Sequence, residues 1–146
     1  MILTKILEKF LQSKKKNKKP EPVFFVAGEG TRIYPEAKFY DNTKSQKKIK
    51  IGKSCWIMGE LLTEEHGSIQ MGDHCYVGPG AKIWSFLPMG IGHRVFISHG
   101  VNIHDTDSHS LSAKERHIRF LEKMRHGRHL VREDKKSAAI VIEDDV

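Results

Sequence analysis

The chain has 146 residues, 38% of them apolar and 29% charged, which allows one domain of ordinary size with a modest core. No window approaches the roughly 18 consecutive apolar residues of a membrane span, and Lys5, Glu8 and Lys9 interrupt the first apolar stretch, so it does not read as a signal peptide. The net charge of +7 is local: residues 1–19 hold seven lysines and one glutamate, whereas residues 20–146 hold 18 basic and 17 acidic side chains, and a near-neutral body argues against a nucleic-acid partner.

Residues 1–11 place Ile2, Leu3, Ile6, Leu7, Phe10 and Leu11 at helical spacing and predict an amphipathic helix. A lysine cluster follows, and Pro20 and Pro22 end the segment, so residues 1–22 divide from a second region, 23–146. Two readings of residues 1–19 stand side by side. One is peripheral contact with an anionic membrane surface, where an apolar face and lysines act together. The other is a helix docked on its own domain, followed by a solvated linker. Cys55 and Cys75 form neither a CxxC pair nor a disulfide framework, and a reducing cytosol suits them.

The middle of the chain repeats every six residues. Apolar anchors recur at Ile33/Phe39, Ile51/Ile57, Met71/Val77/Ile83 and Ile91/Ile97/Ile103. The position four after an anchor is small or apolar at Ala37, Cys55, Cys75, Ala81, Val95 and Val101, and the residue just after the anchor is Gly52, Gly72, Gly78 or Gly92. Neither helical nor simple strand periodicity produces these rules together. They predict an all-β solenoid in which each hexad is one flat side of a triangular coil, with the anchor and the small residue pointing inward. Glycine sits where a Cβ would be costly near a corner.

The hexads IGKSCW, MGDHCY, VGPGAK, IGHRVF and ISHGVN resemble the hexapeptide repeat of left-handed parallel β-helix acyltransferases. The stretch ISHGVNIHDTDSHSL, Ile97–Leu111, is similar to the active-site segment of bacterial sugar O-acetyltransferases, a group that includes maltose, galactoside and surface-polysaccharide acetyltransferases. The resemblance covers about residues 26–146. It implies a left-handed β-helix, acetyl-coenzyme A as donor, a sugar or lipid-linked glycan as acceptor, a homotrimer with active sites between subunits, and a cytoplasmic location. It implies no metal. Members of that group continue with further coils past a segment such as Ile140–Val146, which help form the donor site. Their absence here raises the alternative of an inert structural or binding module.

A hydroxyl acceptor needs a base to take its proton as it attacks the thioester, and histidine chemistry operates near neutrality. His109 falls six after Ile103, where an inward anchor is expected, and Asp107 falls at the small position, so the repeat breaks there. Spacing alone leaves His109 either a base or a solvated loop residue; the resemblance implies the base, with His104 as runner-up. Asp105, Asp107 or a backbone carbonyl would orient the ring, with Asp107 the choice adopted here. Trp84, Asn102 and Asp105 are the candidate substrate contacts, and Trp84 and Phe86 are placed near a coil corner. His93, His99, His104 and His109 suggest a lesser alternative, a zinc site like that of β-helix carbonic anhydrases, which needs three or four converging ligands.

A loop of about residues 105–139 interrupts the solenoid. Within it, Ser112 and Glu115 form a capping box, Ile118, Leu121 and Met124 form a stripe, and Gly127 ends a basic helix.

Overall fold

The structure, a computed structural model, describes residues 25–43, 47–64, 66–127 and 135–146. The amphipathic helix and lysine linker predicted for residues 1–22 lie outside the described residues, apart from which the chain winds as follows. The first coil comprises β1 (Phe25–Ala27), β2 (Arg32–Ile33) and β3 (Lys38–Asp41). The second holds β4 (Ile49–Ile51), β5 (Trp56–Ile57) and β6 (Glu60–Thr63), and the third β7 (Ser68–Met71), β8 (Tyr76–Val77) and β9 (Lys82–Ser85). The fourth holds β10 (Pro88–Ile91), β11 (Phe96–Ile97) and β12 (Asn102–His104). Helix α1 (Ala113–His126) follows, and β13 (Val141–Ile142) begins another coil.

Equivalent strands stack in parallel into three sheets, β1-β4-β7-β10-β13, β2-β5-β8-β11 and β3-β6-β9-β12. The chain is therefore a β-solenoid, and the hexads form its sides. Ile51, Ile57, Met71, Val77, Ile83, Ile91 and Ile97 all point inward and are buried, as are Cys55, Cys75, Ala81 and Val95 at the small position. Ile33 in the first coil and Val101 in the fourth are exposed, because an inward position is fully covered only with coils on both sides. The two cysteines are free and interior; burial pushes the Cys75 thiol above its ordinary value.

One feature of the period is corrected. A strict hexad repeat returns the chain every 18 residues, but Ile49 pairs with Ile69, Tyr76 with Phe96 and Lys82 with Asn102, a spacing of 20, and Glu60 pairs with Lys82 at 22 and Arg32 with Trp56 at 24. In the third coil two sides are hexads, and the third, from Ile83 to Ile91, is eight residues long. A buried polar column runs down this third corner, through Thr63, Ser85 and Asp105. The Thr63 hydroxyl donates to the Asp41 carboxylate at 3.2 Å, and the Ser85 hydroxyl accepts from the Ser68 N–H at 3.1 Å. Each polar side chain satisfies backbone or neighbouring groups that the wider turn would otherwise leave unpaired in the interior.

At the first corner the reason for glycine is close approach of stacked backbones. A Cβ at Gly52 would stand 2.4 Å from the Gly72 carbonyl oxygen, and one at Gly72 would stand 2.7 Å from the Gly92 carbonyl. The left-handed turn itself is taken two residues later by non-glycine residues, Ser54, His74 and Arg94, with φ of 54°, 59° and 57°. A ladder of side chains ties this corner along the axis. The Lys53 N–H donates to Asp73 Oδ1 at 2.7 Å, the Asp73 N–H to His93 Nδ1 at 2.9 Å, and the His93 N–H to Asp144 Oδ1 at 2.7 Å. The Lys53 amide holds the Asp73 carboxyl below its usual range, and the Arg94 guanidinium does the same to Asp145.

The caps of α1 stand where expected, but the capping box is only half formed, because the Ser112 N–H donates to the Ser110 hydroxyl and the Glu115 carboxylate accepts from that same hydroxyl. Ser112 is the N-cap and accepts from the Glu115 N–H, and Gly127 closes the helix at φ 65° with its N–H on the Lys123 carbonyl. No helix among the described residues is long and apolar enough to cross a membrane.

Candidate functional site

The solenoid breaks at Asp105, earlier than His109, because the carboxylate at this point of the polar column turns back onto the previous coil. Both Asp105 oxygens accept from the Phe86 N–H, at 2.8 and 2.9 Å, and one also accepts from the Leu87 N–H at 2.7 Å. The residue is 5% exposed. Asp105 thus fixes the corner at Phe86–Leu87, a structural role beyond the substrate contact predicted for it. Just beyond it the chain leaves the coil. The excursion is closed at its neck by an antiparallel bridge between Thr106 and Ser137 and by the Ala138 N–H on the Asp105 carbonyl at 3.1 Å.

Asp107 lies in this neck. Its N–H donates to the Lys136 carbonyl at 3.1 Å, and its Oδ1 accepts from the Lys136 N–H at 3.3 Å. Its carboxylate ties the outgoing strand to the returning one. His109 follows in the turn, exposed, with its N–H donating to the Asp107 carbonyl. The turn is held from the helix side: the Ser110 hydroxyl donates to the Glu115 carboxylate, and Arg116 Nη1 donates to the carbonyls of Ser110 and Leu111, each at 2.8 Å. Sequence reading missed Arg116 as the residue that fixes the His109 turn. A lone arginine one turn into a basic helix carries no distinguishing signal.

Trp84 is on a strand, not at a corner. It stands on the outer face of β9, in register with His104 on β12, and the two rings lie 4.7 Å apart, tilted by 49°. The indole Nε1–H donates to Glu60 Oε1 at 2.8 Å, which fixes the ring. A small cleft opens beside them, lined by Trp84, Phe86, His104, Asp105, Glu64 and Lys135. Lys135 Nζ sits 3.3 Å from the centre of the Phe86 ring, so the returning arm closes over the corner. Asn102 is exposed on β12, with Nδ2 on the Gly100 carbonyl at 3.4 Å. The structure therefore brings Trp84 and His104 together in one cleft and sets His109 and Asp107 in the neighbouring neck and turn.

The other histidines are dispersed. His93 belongs to the first-corner ladder, and His99 follows β11 at the second corner, where its Nδ1 lies 3.3 Å from the Ser98 hydroxyl. Among the described residues no three His, Cys, Asp or Glu side chains converge as a metal site requires. No family model, curated protein or solved structure matches the chain.

Proposed function

We propose that the protein is an O-acetyltransferase of the left-handed β-helix type, transferring acetyl from acetyl-coenzyme A to a sugar hydroxyl of a surface polysaccharide or its precursor. The observation that carries this reading is the interruption of a hexad solenoid just past Asp105, with His104 at the end of β12 before it and His109 in the excursion that follows. In this reading His109 takes the proton of the acceptor hydroxyl as its oxygen attacks the thioester carbonyl. The tetrahedral intermediate collapses with loss of the coenzyme A thiolate, which receives the proton from the histidine. Trp84 and His104 line the acceptor side, since flat rings suit the apolar faces of a pyranose. The enzyme acts in the cytoplasm as a homotrimer, with the fixed turn of His109 facing a neighbouring subunit.

Calorimetric titration with acetyl-coenzyme A, paired with an assay of free thiol release on adding acceptor sugars, tests the activity. Binding on the order of micromolar to millimolar and sugar-dependent thiol release are expected. No heat and no thiol release would show an inert module. Light scattering is expected to give the mass of three chains; a monomer mass contradicts the assembly.

A further inference from the structure

Helix α1 carries its amphipathicity the wrong way round for a helix that serves its own domain. None of its residues is buried. The apolar side chains face solvent, with Met124 69% and Phe120 56% exposed, Ile118 and Leu121 also exposed, and Leu111 just before the helix 97% exposed. The two residues that are partly covered are Arg119 and Glu122. At 100° per residue, Ile118, Leu121, Met124 and Phe120 fall within one arc of about 160°, which His117, Lys114 and Arg125 share, and Glu115, Arg119 and Glu122 lie opposite it. A helix packed on a core shows the reverse.

Charge indicates what covers the arc. The helix holds five basic and two acidic residues. Lys114 and Arg125 project from within the arc, between Leu121 and Ile118, and Arg116 and Lys123 lie beyond Phe120 at its edge. Two copies of the chain packed symmetrically through this face would oppose these cations. A surface that offers anionic groups over an apolar layer matches them, because long basic side chains bury their stems and keep their charges at the headgroups. We propose that α1 is an interfacial helix that lies in the headgroup region of an anionic lipid bilayer, with Phe120, Leu121 and Met124 entering the acyl boundary. This surface is separate from the membrane contact expected of residues 1–19, and it does not rest on the acetyltransferase reading.

The test uses the full chain with phosphatidylcholine vesicles, with and without phosphatidylglycerol. Phe120→Glu/Met124→Glu is expected to lower the partition coefficient for the anionic vesicles by about tenfold or more, with an unchanged melting temperature because neither side chain is buried. Met124→Cys labelled with an environment-sensitive dye reports on the helix alone, because native Cys55 and Cys75 are buried. Its emission is expected to shift to the blue on adding anionic vesicles and not neutral ones, and to revert at high salt. Unchanged partition of the double variant, or no dye shift with phosphatidylglycerol, overturns the proposal. A dye shift that grows with protein concentration in the absence of lipid assigns the face to self-association and overturns it equally.

Discussion

Replacing His109 with alanine is expected to lower acetyl transfer by about 10²–10⁴-fold, the range contributed by a positioned general base, and to leave the melting temperature of the protein unchanged. The second half of this expectation comes from the structure. His109 is exposed, and the hydrogen bond that seats it in the turn runs through its backbone N–H, which alanine keeps. The turn itself is held by Ser110, Glu115 and Arg116, none of which the substitution touches. The pair of variants His109→Ala and His104→Ala separates the two candidate bases. If His104→Ala loses activity to the same degree and His109→Ala keeps it, the base is the ring beside Trp84, and the excursion serves another purpose. If neither variant changes the rate, the proposed chemistry is wrong. Steady-state assay of thiol release, with thermal melts alongside, decides among these results.

The largest stability effect is expected at the first corner. Gly52→Ala places a Cβ 2.4 Å from the Gly72 carbonyl oxygen and 2.5 Å from its carbonyl carbon. These are backbone atoms of the next coil, so no side chain can rotate away. The stacked turn must separate, which breaks the Gly52 N–H bond to the Met71 carbonyl, 2.9 Å long, and strains the Lys53 N–H bond to Asp73. Overpacking of this kind destabilises by about 3 kcal/mol or more, a large share of a total stability of about 5–15 kcal/mol. A fall in the melting temperature of about 10 °C is expected. Gly100→Ala is the control: no atom lies within 4 Å of an added Cβ there, but its φ of 68° makes alanine mildly strained. Equal melting temperatures for Gly52→Ala and Gly100→Ala would contradict the close-approach account of the first-corner glycines.

Much of the fold was legible in the sequence because the solenoid is built from one short rule repeated. Inward apolar anchors at Ile51, Met71 and Ile91, the small interior positions at Cys55, Cys75 and Val95, and the glycines after the anchors follow from geometry that each coil imposes on the next. The caps of α1 were legible too, since each acts within a turn of its own helix end, Ser112 with Glu115 and Gly127 with Lys123. The eight-residue third side was not legible, because Thr63, Ser85 and Asp105 read as ordinary polar residues until stacking buries them. Nor were the left-handed turns at Ser54, His74 and Arg94, where residues with no intrinsic preference for positive φ are held by hydrogen bonds from adjacent coils.

By itself, then, the sequence determined the repeat, the direction of its core residues and the place where the coil gives way to an excursion, since each of these depends on contacts between residues one coil apart or less. The tertiary structure decided the rest. It put Trp84 against His104 through the register of β9 and β12, gave Asp105 to the amides of Phe86 and Leu87, and tied Asp107 to the returning strand at Lys136. It also left Ile118, Leu121 and Met124 exposed, which the stripe in sequence does not by itself determine. Which side a helix presents depends on what the rest of the chain places beside it, and here the partly covered residues are Arg119 and Glu122.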